Sequence, residues 1–278
     1  MRLAVSNIAW DVAEDEQVAS LLQKYQVDAI DIAPGKYFPQ PDRVADENIF
    51  KVKDWWAERG IEITGMQALL FGTNGLNVFG SSEIQEKLLD HLGAVCSIAG
   101  KLGAPRIVFG SPRNRDRQGL DDEETLTVAS AFFRRLGDIA QSNGVFICLE
   151  PNPVVYGANF MTTAEETESV VRAVSHPAIR MQFDTGAVLI NGEDPHRVLE
   201  KAADVIGHIH LSEPALAPLG DSGQDHRPHA SAIHRFFPSG VMTIEMVATQ
   251  NEDHLVSLER ALRFAGEYYR GATMQGPA

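Results

Sequence analysis

Short β-branched or apolar runs recur eight times along the chain, near residues 2–9, 28–33, 61–69, 106–111, 145–150, 179–185, 206–212 and 241–246. Each is followed by a stretch whose apolar positions return at helical spacing, near 14–25, 45–59, 82–102, 122–142, 163–175, 195–203, 229–236 and 252–270. Strict alternation with short connections predicts parallel pairing. Eight units predict closure into an α/β fold, a single (β/α)8 TIM barrel over residues 1–270 with 271–278 as a C-terminal tail. A doubly wound open sheet also alternates strand and helix, but the chain has neither a Gly-x-Gly-x-x-Gly turn after its first strand nor a phosphate-binding Gly-x-x-x-x-Gly-Lys loop.

Punctuation agrees with this pattern. Ser81 ahead of Ile84, Leu88 and Leu92, and Thr163 with Glu166 three residues on, are suited to cap free amide donors at helix starts. Arg59-Gly60 and Asn143-Gly144 supply stops, glycine being free to turn left-handed before the next strand. No Ser/Gly-rich linker divides the chain.

Lys plus Arg number 24 and Asp plus Glu 38, a formal net charge of −14 over 278 residues. Such a surface repels polyanions, and the basic cluster Arg113, Arg115 and Arg117, with Arg106 nearby, is small, so no nucleic-acid partner is expected. That cluster reads either as a solvated loop or as an anion- or sugar-contacting loop above the barrel. Two cysteines, Cys96 and Cys148, each in an apolar run, argue against a disulfide framework and for a cytoplasmic setting. Neither a leader-like N-terminus nor an apolar run long enough to span a membrane is expected.

Four side chains close the last four strand segments: Glu150 in VFICLE, Asp184 in IRMQFD, His210 in IGHIHL and Glu245 in VMTIE. In a (β/α)8 barrel the active site lies at the carboxyl ends of the strands, so these residues converge on one cavity. Three carboxylates and one imidazole form a ligand set for one divalent ion. Hard oxygens with a single nitrogen suit Mn²⁺ best, with Mg²⁺, Co²⁺ or Fe²⁺ as alternatives. The rival reading gives Glu150 and Asp184 local capping roles and makes His210 a satisfied core histidine; it requires chance to put all four at matching strand ends. His208 shares a strand face with His210 at greater depth and is expected to be structural.

Trp10, Gln67 and Tyr156 are candidates for the wall and hydrogen-bonding edge of a sugar pocket, and His229, in the run His226, His229, His234, for a further substrate contact. Loop packing is the plainer alternative for each. Trp55 and Trp56 sit in a helical run and read as helix packing or as a homo-oligomer contact.

The blocks CLEPNP, FDTG, HIHLSEP and TIEM, in that order, resemble the sugar phosphate isomerase/epimerase superfamily of xylose-isomerase-like barrels, which includes the ketose 3-epimerases and the apurinic endonuclease branch. Met66–Gly72 and Val108–Pro112 also resemble strand ends of that family, so the likeness spans the chain. The resemblance implies that Glu150, Asp184, His210 and Glu245 bind the metal. It further implies that Glu150 and Glu245 act as acid and base on a small-molecule sugar or sugar derivative, through a metal-stabilised enediolate. Assembly as dimers or tetramers is common among the enzymes it resembles.

Two departures stand out. Ala187 occupies a position where a substrate-contacting histidine is usual, and Leu216 one where an arginine is common. These leave open a substrate with a larger apolar part or a modified sugar, a metal-dependent dehydratase or lyase acting on a related polyol, or a non-catalytic sugar-binding accessory barrel. The endonuclease branch needs further metal-binding histidines where Gln67, Phe109-Gly110 and Ala187 stand.

Overall fold

The computed structural model describes residues 1–270; the expected tail, 271–278, lies outside them. Strands β1 (Arg2–Ser6), β2 (Ala29–Ile32), β3 (Glu62–Met66), β4 (Arg106–Phe109), β5 (Phe146–Leu149), β6 (Ile179–Asp184), β7 (Ile206–Ser212) and β8 (Val241–Glu245) form a closed barrel in sequence order. Every neighbouring pair is parallel, β8 closing on β1. Helices α1 (Asp15–Lys24), α2 (Pro34–Tyr37), α3 (Asp46–Ala57), α4 (Ser82–Leu102), α5 (Asp122–Ser142), α6 (Ala164–Val174), α7 (Thr185–Asn191), α8 (Pro195–Ala202), α9 (Arg227–Phe236) and α10 (His254–Tyr269) complete the chain.

The predicted caps form. Ser81 accepts from the amide of Ile84 and Thr163 from that of Glu166. Gly60 and Gly144 take positive φ values of 71° and 70° where the chain leaves a helix. Buried faces such as Leu88, Leu92 and Val95 on α4, and Phe132, Phe133 and Leu136 on α5, pack against the strands and remove the apolar stripe from water.

Several elements differ from expectation, among them the short helix α2, which the apolar spacing does not predict. Residues 7–9 form a turn of 3₁₀ helix rather than extending β1. Strand β3 stops at Met66, and Ala68 adopts a left-handed φ of 53°. Helix α7 was not predicted: it starts directly at the end of β6, where the Asp184 carboxylate accepts from the amide of Ala187 at 2.6 Å.

Within the barrel, polar side chains stack in layers. The deeper layer holds Asp31, which accepts from Thr64 Oγ1 at 3.0 Å and Thr243 Oγ1 at 2.7 Å, with His208 Nε2 2.7 Å from Oδ2. His208 is thus the buried structural histidine the sequence implied. For Asp31, burial acts upward, but the charge and hydrogen bond of His208 prevail and hold the carboxyl below its usual range.

Candidate active site

The β6–β7 register decides the upper layer. Met181 pairs with Ile206 but Gln182 pairs with His208, so Gly207 bulges out of the ladder and His210 comes to lie beside Asp184. A Cβ on Gly207 would meet the Phe146 ring at 2.7 Å and Arg180 Cβ at 2.8 Å, so the bulge needs glycine for space. On the next pair, Ser212 stands opposite Glu245.

One ligand atom from each of Glu150, Asp184, His210 and Glu245 falls within 4.8 Å of the others. His210 Nδ1 lies 3.3 Å from Glu150 Oε1 and 3.3 Å from Glu245 Oε2. Even so, neither imidazole nitrogen, nor Oε1 of Glu150, has a hydrogen-bond partner among the described residues. Buried polar atoms without partners are rare in native proteins, and here they converge. The donor set, three carboxylates and a neutral-capable imidazole, fits one divalent cation.

The electrostatics agree with that fit. Burial, with the charges of Glu150 and Glu245 added, pushes the Asp184 carboxyl up to about 7. His210 experiences opposing influences: burial disfavours its charge, but Glu245 and Glu150 raise the imidazole well above its ordinary value. Without a cation both shifts favour the protonated forms of Asp184 and His210.

Neighbouring groups hold the three carboxylates in place. Ser212 Oγ donates to Asp184 Oδ2 at 2.7 Å and accepts from the amide of Gly186 at 2.9 Å. Gln67 Nε2 donates to Glu245 Oε1 at 2.6 Å. Asn152 Nδ2 donates to the Gly110 carbonyl at 2.8 Å and reaches Glu150 Oε2 at 3.4 Å. A Cβ on Gly110 would sit 2.0 Å from Glu150 Oε2, so only glycine leaves room for that carboxylate.

Glu150, Asp184 and Glu245 line a cavity of about 1080 Å³. Of the other candidates, Gln67 and Tyr156 also line it, although the Gln67 amide donor is committed to Glu245. Trp10 is corrected: its ring is wholly buried away from the cavity lining, and its indole N–H donates to Asp15 at 2.8 Å. The 3₁₀ turn after β1 directs it outward against Trp56, at a ring-centroid separation of 6.4 Å. His229 is corrected likewise. It is buried on α9 beside His226, outside the cavity lining, and desolvation together with His226 lowers its imidazole to about 4.

The arginine cluster divides. Arg113 is exposed at the cavity, Arg117 pairs with Asp122, and Arg106 reaches the Thr64 carbonyl from the start of β4. Arg115, read as a loop residue, is buried and donates to the Glu150 carbonyl at 2.7 Å. Desolvation lowers its guanidinium to about 10 against the pull of Glu150 and Glu166. Ser212, Asn152 and Gly110 are site residues that the sequence reading misses. Ser212 carried a signal, since it continues the His208, His210 alternation along β7.

Residues 19–265 match the family described as the xylose isomerase-like TIM barrel. The chain belongs to the xylose isomerase-like TIM barrel family. Among solved structures of this fold, a D-psicose 3-epimerase from Clostridium cellulolyticum H10 is similar with a TM-score of 0.80 at 18% identity, covering 97% of this chain and 99% of that one. A 3-keto-D-glucoside 4-epimerase from E. coli gives 0.76 at 16% identity, covering 95% and 98%. By sequence, an inosose dehydratase of Lacticaseibacillus casei is 28% identical over 111 residues, 40% of this chain and 36% of that protein. The matched segment is little more than a third of that relative's length. Among the described residues, no helix of this xylose isomerase-like barrel is long and apolar enough to cross a membrane.

Proposed function

We propose that this protein is a divalent-metal-dependent isomerase or epimerase of a small sugar or sugar derivative, in which Glu150 and Glu245 move the proton. The observation that carries the reading is the pair of glutamates, each 3.3 Å from His210 Nδ1, on the wall of one cavity. Glu150, Asp184, His210 and Glu245 would hold the ion, Mn²⁺ being the best match to the donors. A bound divalent cation supplies Lewis acidity, which makes a C–H next to a carbonyl easier to ionise.

The rest falls to the chain. Glu150 follows β5 and Glu245 ends β8, with β6 and β7 between them, so the two carboxylates flank Asp184 and His210. One accepts a proton from the carbon acid and the other returns one: to the opposite face for epimerisation, or at the neighbouring carbon for isomerisation. Gln67 orients Glu245, and Arg115 anchors the backbone of Glu150. Residues 1–270 would act as one catalytic barrel. The net charge of −14 and the buried free thiols Cys96 and Cys148 support a small-molecule substrate and a reducing, cytoplasmic compartment.

The inosose dehydratase likeness favours one second reading, in which the same proton abstraction is followed by loss of a neighbouring hydroxyl as water. Loss of substrate C–H signals in D₂O, followed by NMR over ketoses, aldoses and inososes with added Mn²⁺, separates the cases. Exchange with an unchanged mass apart from deuterium, abolished in Glu245→Gln, supports the isomerase or epimerase. A product lighter by one water supports the dehydratase, and absence of both in a metal-binding protein refutes both.

A further inference from the structure

The cavity has an apolar rim that the proton-transfer reading does not use. Phe71, in the loop after β3, is 86% exposed; Tyr156, after β5, is 42% exposed; and Val247, after β8, is 43% exposed. All three line the same cavity as Glu150, Asp184 and Glu245, as does Leu216 after β7. Scattered exposed apolar residues need no explanation, but these come from four separate strand ends and surround one opening.

The rim is built rather than incidental. Tyr156 Oη accepts from the amide of Ala215 at 2.7 Å, and the carbonyl of Leu216 accepts from the amide of Val247 at 3.0 Å. Three loops are thereby tied together. Ala215 and Leu216 adopt left-handed φ values of 58° and 52°, a conformation costly for residues with a Cβ, and rarer still for two in succession. Strain of this kind persists where surrounding structure enforces it, and here it sets Leu216 on the cavity wall.

Size points the same way. A cavity of about 1080 Å³ lies just above the roughly 300–1,000 Å³ that holds a drug-sized ligand, far more than a free hexose fills. Charge argues against an anionic substituent. Lys36 lines the cavity, but its ammonium is engaged by the carbonyls of Asn7 and Trp10, which leaves Arg113 as the other cation among the described lining residues, against the acidic Glu150, Asp184, Glu213 and Glu245.

We propose that the substrate is a hydroxy-ketone sugar bearing an uncharged apolar substituent, which rests on the rim formed by Phe71, Tyr156, Leu216 and Val247 while the polyol end meets the acidic cluster. This inference rests on the proposed function for the inner end of the cavity and adds the chemistry of the outer end.

Three probes that differ only at the far end test it: D-fructose, 6-O-benzyl-D-fructose and D-fructose 6-phosphate. Calorimetric titration of the full-length protein, with and without Mn²⁺, is expected to give the benzyl ether at least about tenfold tighter binding than fructose, and the phosphate no advantage. Phe71→Ser, at an exposed position that leaves the core intact, should cut the benzyl preference at least about threefold; Val247→Ser gives a second reading of the same rim. Tighter binding of the phosphate, equal affinity for all three, or binding of none overturns the proposal.

Proton exchange of the same three compounds in D₂O separates the two ideas. Exchange without a benzyl preference defeats the apolar-substituent proposal and leaves the isomerase reading standing. A benzyl preference without exchange does the reverse.

Discussion

Gln67 Nε2 donates to Glu245 Oε1 at 2.6 Å, whereas the side-chain donor on Glu150, Asn152 Nδ2, stands 3.4 Å from Oε2, so the two proposed proton carriers differ in how firmly they are held. Gln67→Leu removes the donor while keeping much of the volume. Partners that orient metal ligands typically contribute 10–100-fold in affinity or activity, so a loss of about that size in proton-exchange rate is expected. An exchange rate within twofold of wild type would show that Glu245 needs no such support.

Ser212 serves Asp184 and the first turn of α7 at once, through bonds of 2.7 Å and 2.9 Å. Ser212→Ala should weaken Mn²⁺ binding roughly 10–100-fold and destabilise the fold by about 1–3 kcal/mol. Calorimetry and thermal unfolding read these separately. Unaltered metal affinity in a destabilised variant would confine Ser212 to a structural role.

Gly110→Ala puts a methyl group where Glu150 Oε2 now lies, 2.0 Å away. The carboxylate must move, because the strand beneath it is fixed by the β4–β5 ladder. A folded barrel with normal circular dichroism but Mn²⁺ affinity reduced at least about tenfold is expected. Retained affinity would mean that Glu150 is dispensable for the ion.

Metal binding should strengthen as pH rises. Asp184, held up to about 7 by burial and by Glu150 and Glu245, and His210, held well above its ordinary value by Glu245 and Glu150, must both shed protons to serve as ligands. The stability sign follows from the same shifts. A raised carboxyl pKa means that the metal-free native state binds more protons than the unfolded chain between about pH 4 and 7, so its stability falls as pH climbs through that window. The raised His210 imidazole contributes stability that is likewise lost as pH rises through its native pKa. Titrations in buffers of different ionisation heat should show proton release on Mn²⁺ binding near pH 6. Binding that weakens as pH rises toward about 7 would contradict this.

Trp56, considered in sequence for an oligomer contact, is buried against Trp10, and Trp55 carries the guanidinium of Arg59 over its ring at 3.7 Å. Trp56→Ala should therefore behave as a core truncation, costing about 3–5 kcal/mol. Denaturant unfolding checks this. A wild-type midpoint with altered sedimentation would return Trp56 to an interface.

The eight-unit alternation was readable in the chain itself because a strand buried on both faces and an amphipathic helix impose different hydrophobic periods. So was the convergence of Glu150, Asp184, His210 and Glu245, since in a closed parallel barrel the strand ends are brought together by topology alone. What sequence could not supply was orientation. Trp10 follows the first strand as a pocket residue should, but a 3₁₀ turn rotates it into the packing around Asp15. His229 has a sugar-binding residue type, yet α9 buries it beside His226. Arg115 has the look of a solvated loop cation and instead anchors the carbonyl of Glu150. Only the tertiary structure decided that the bulge at Gly207 brings His210 beside Asp184, that Gly110 clears space for Glu150, and that a strained loop holds Leu216 on the cavity wall. Local periodicity follows from which face of a segment is buried, but register, steric clearance and loop strain depend on partners distant in sequence, and those exist only once the barrel has closed.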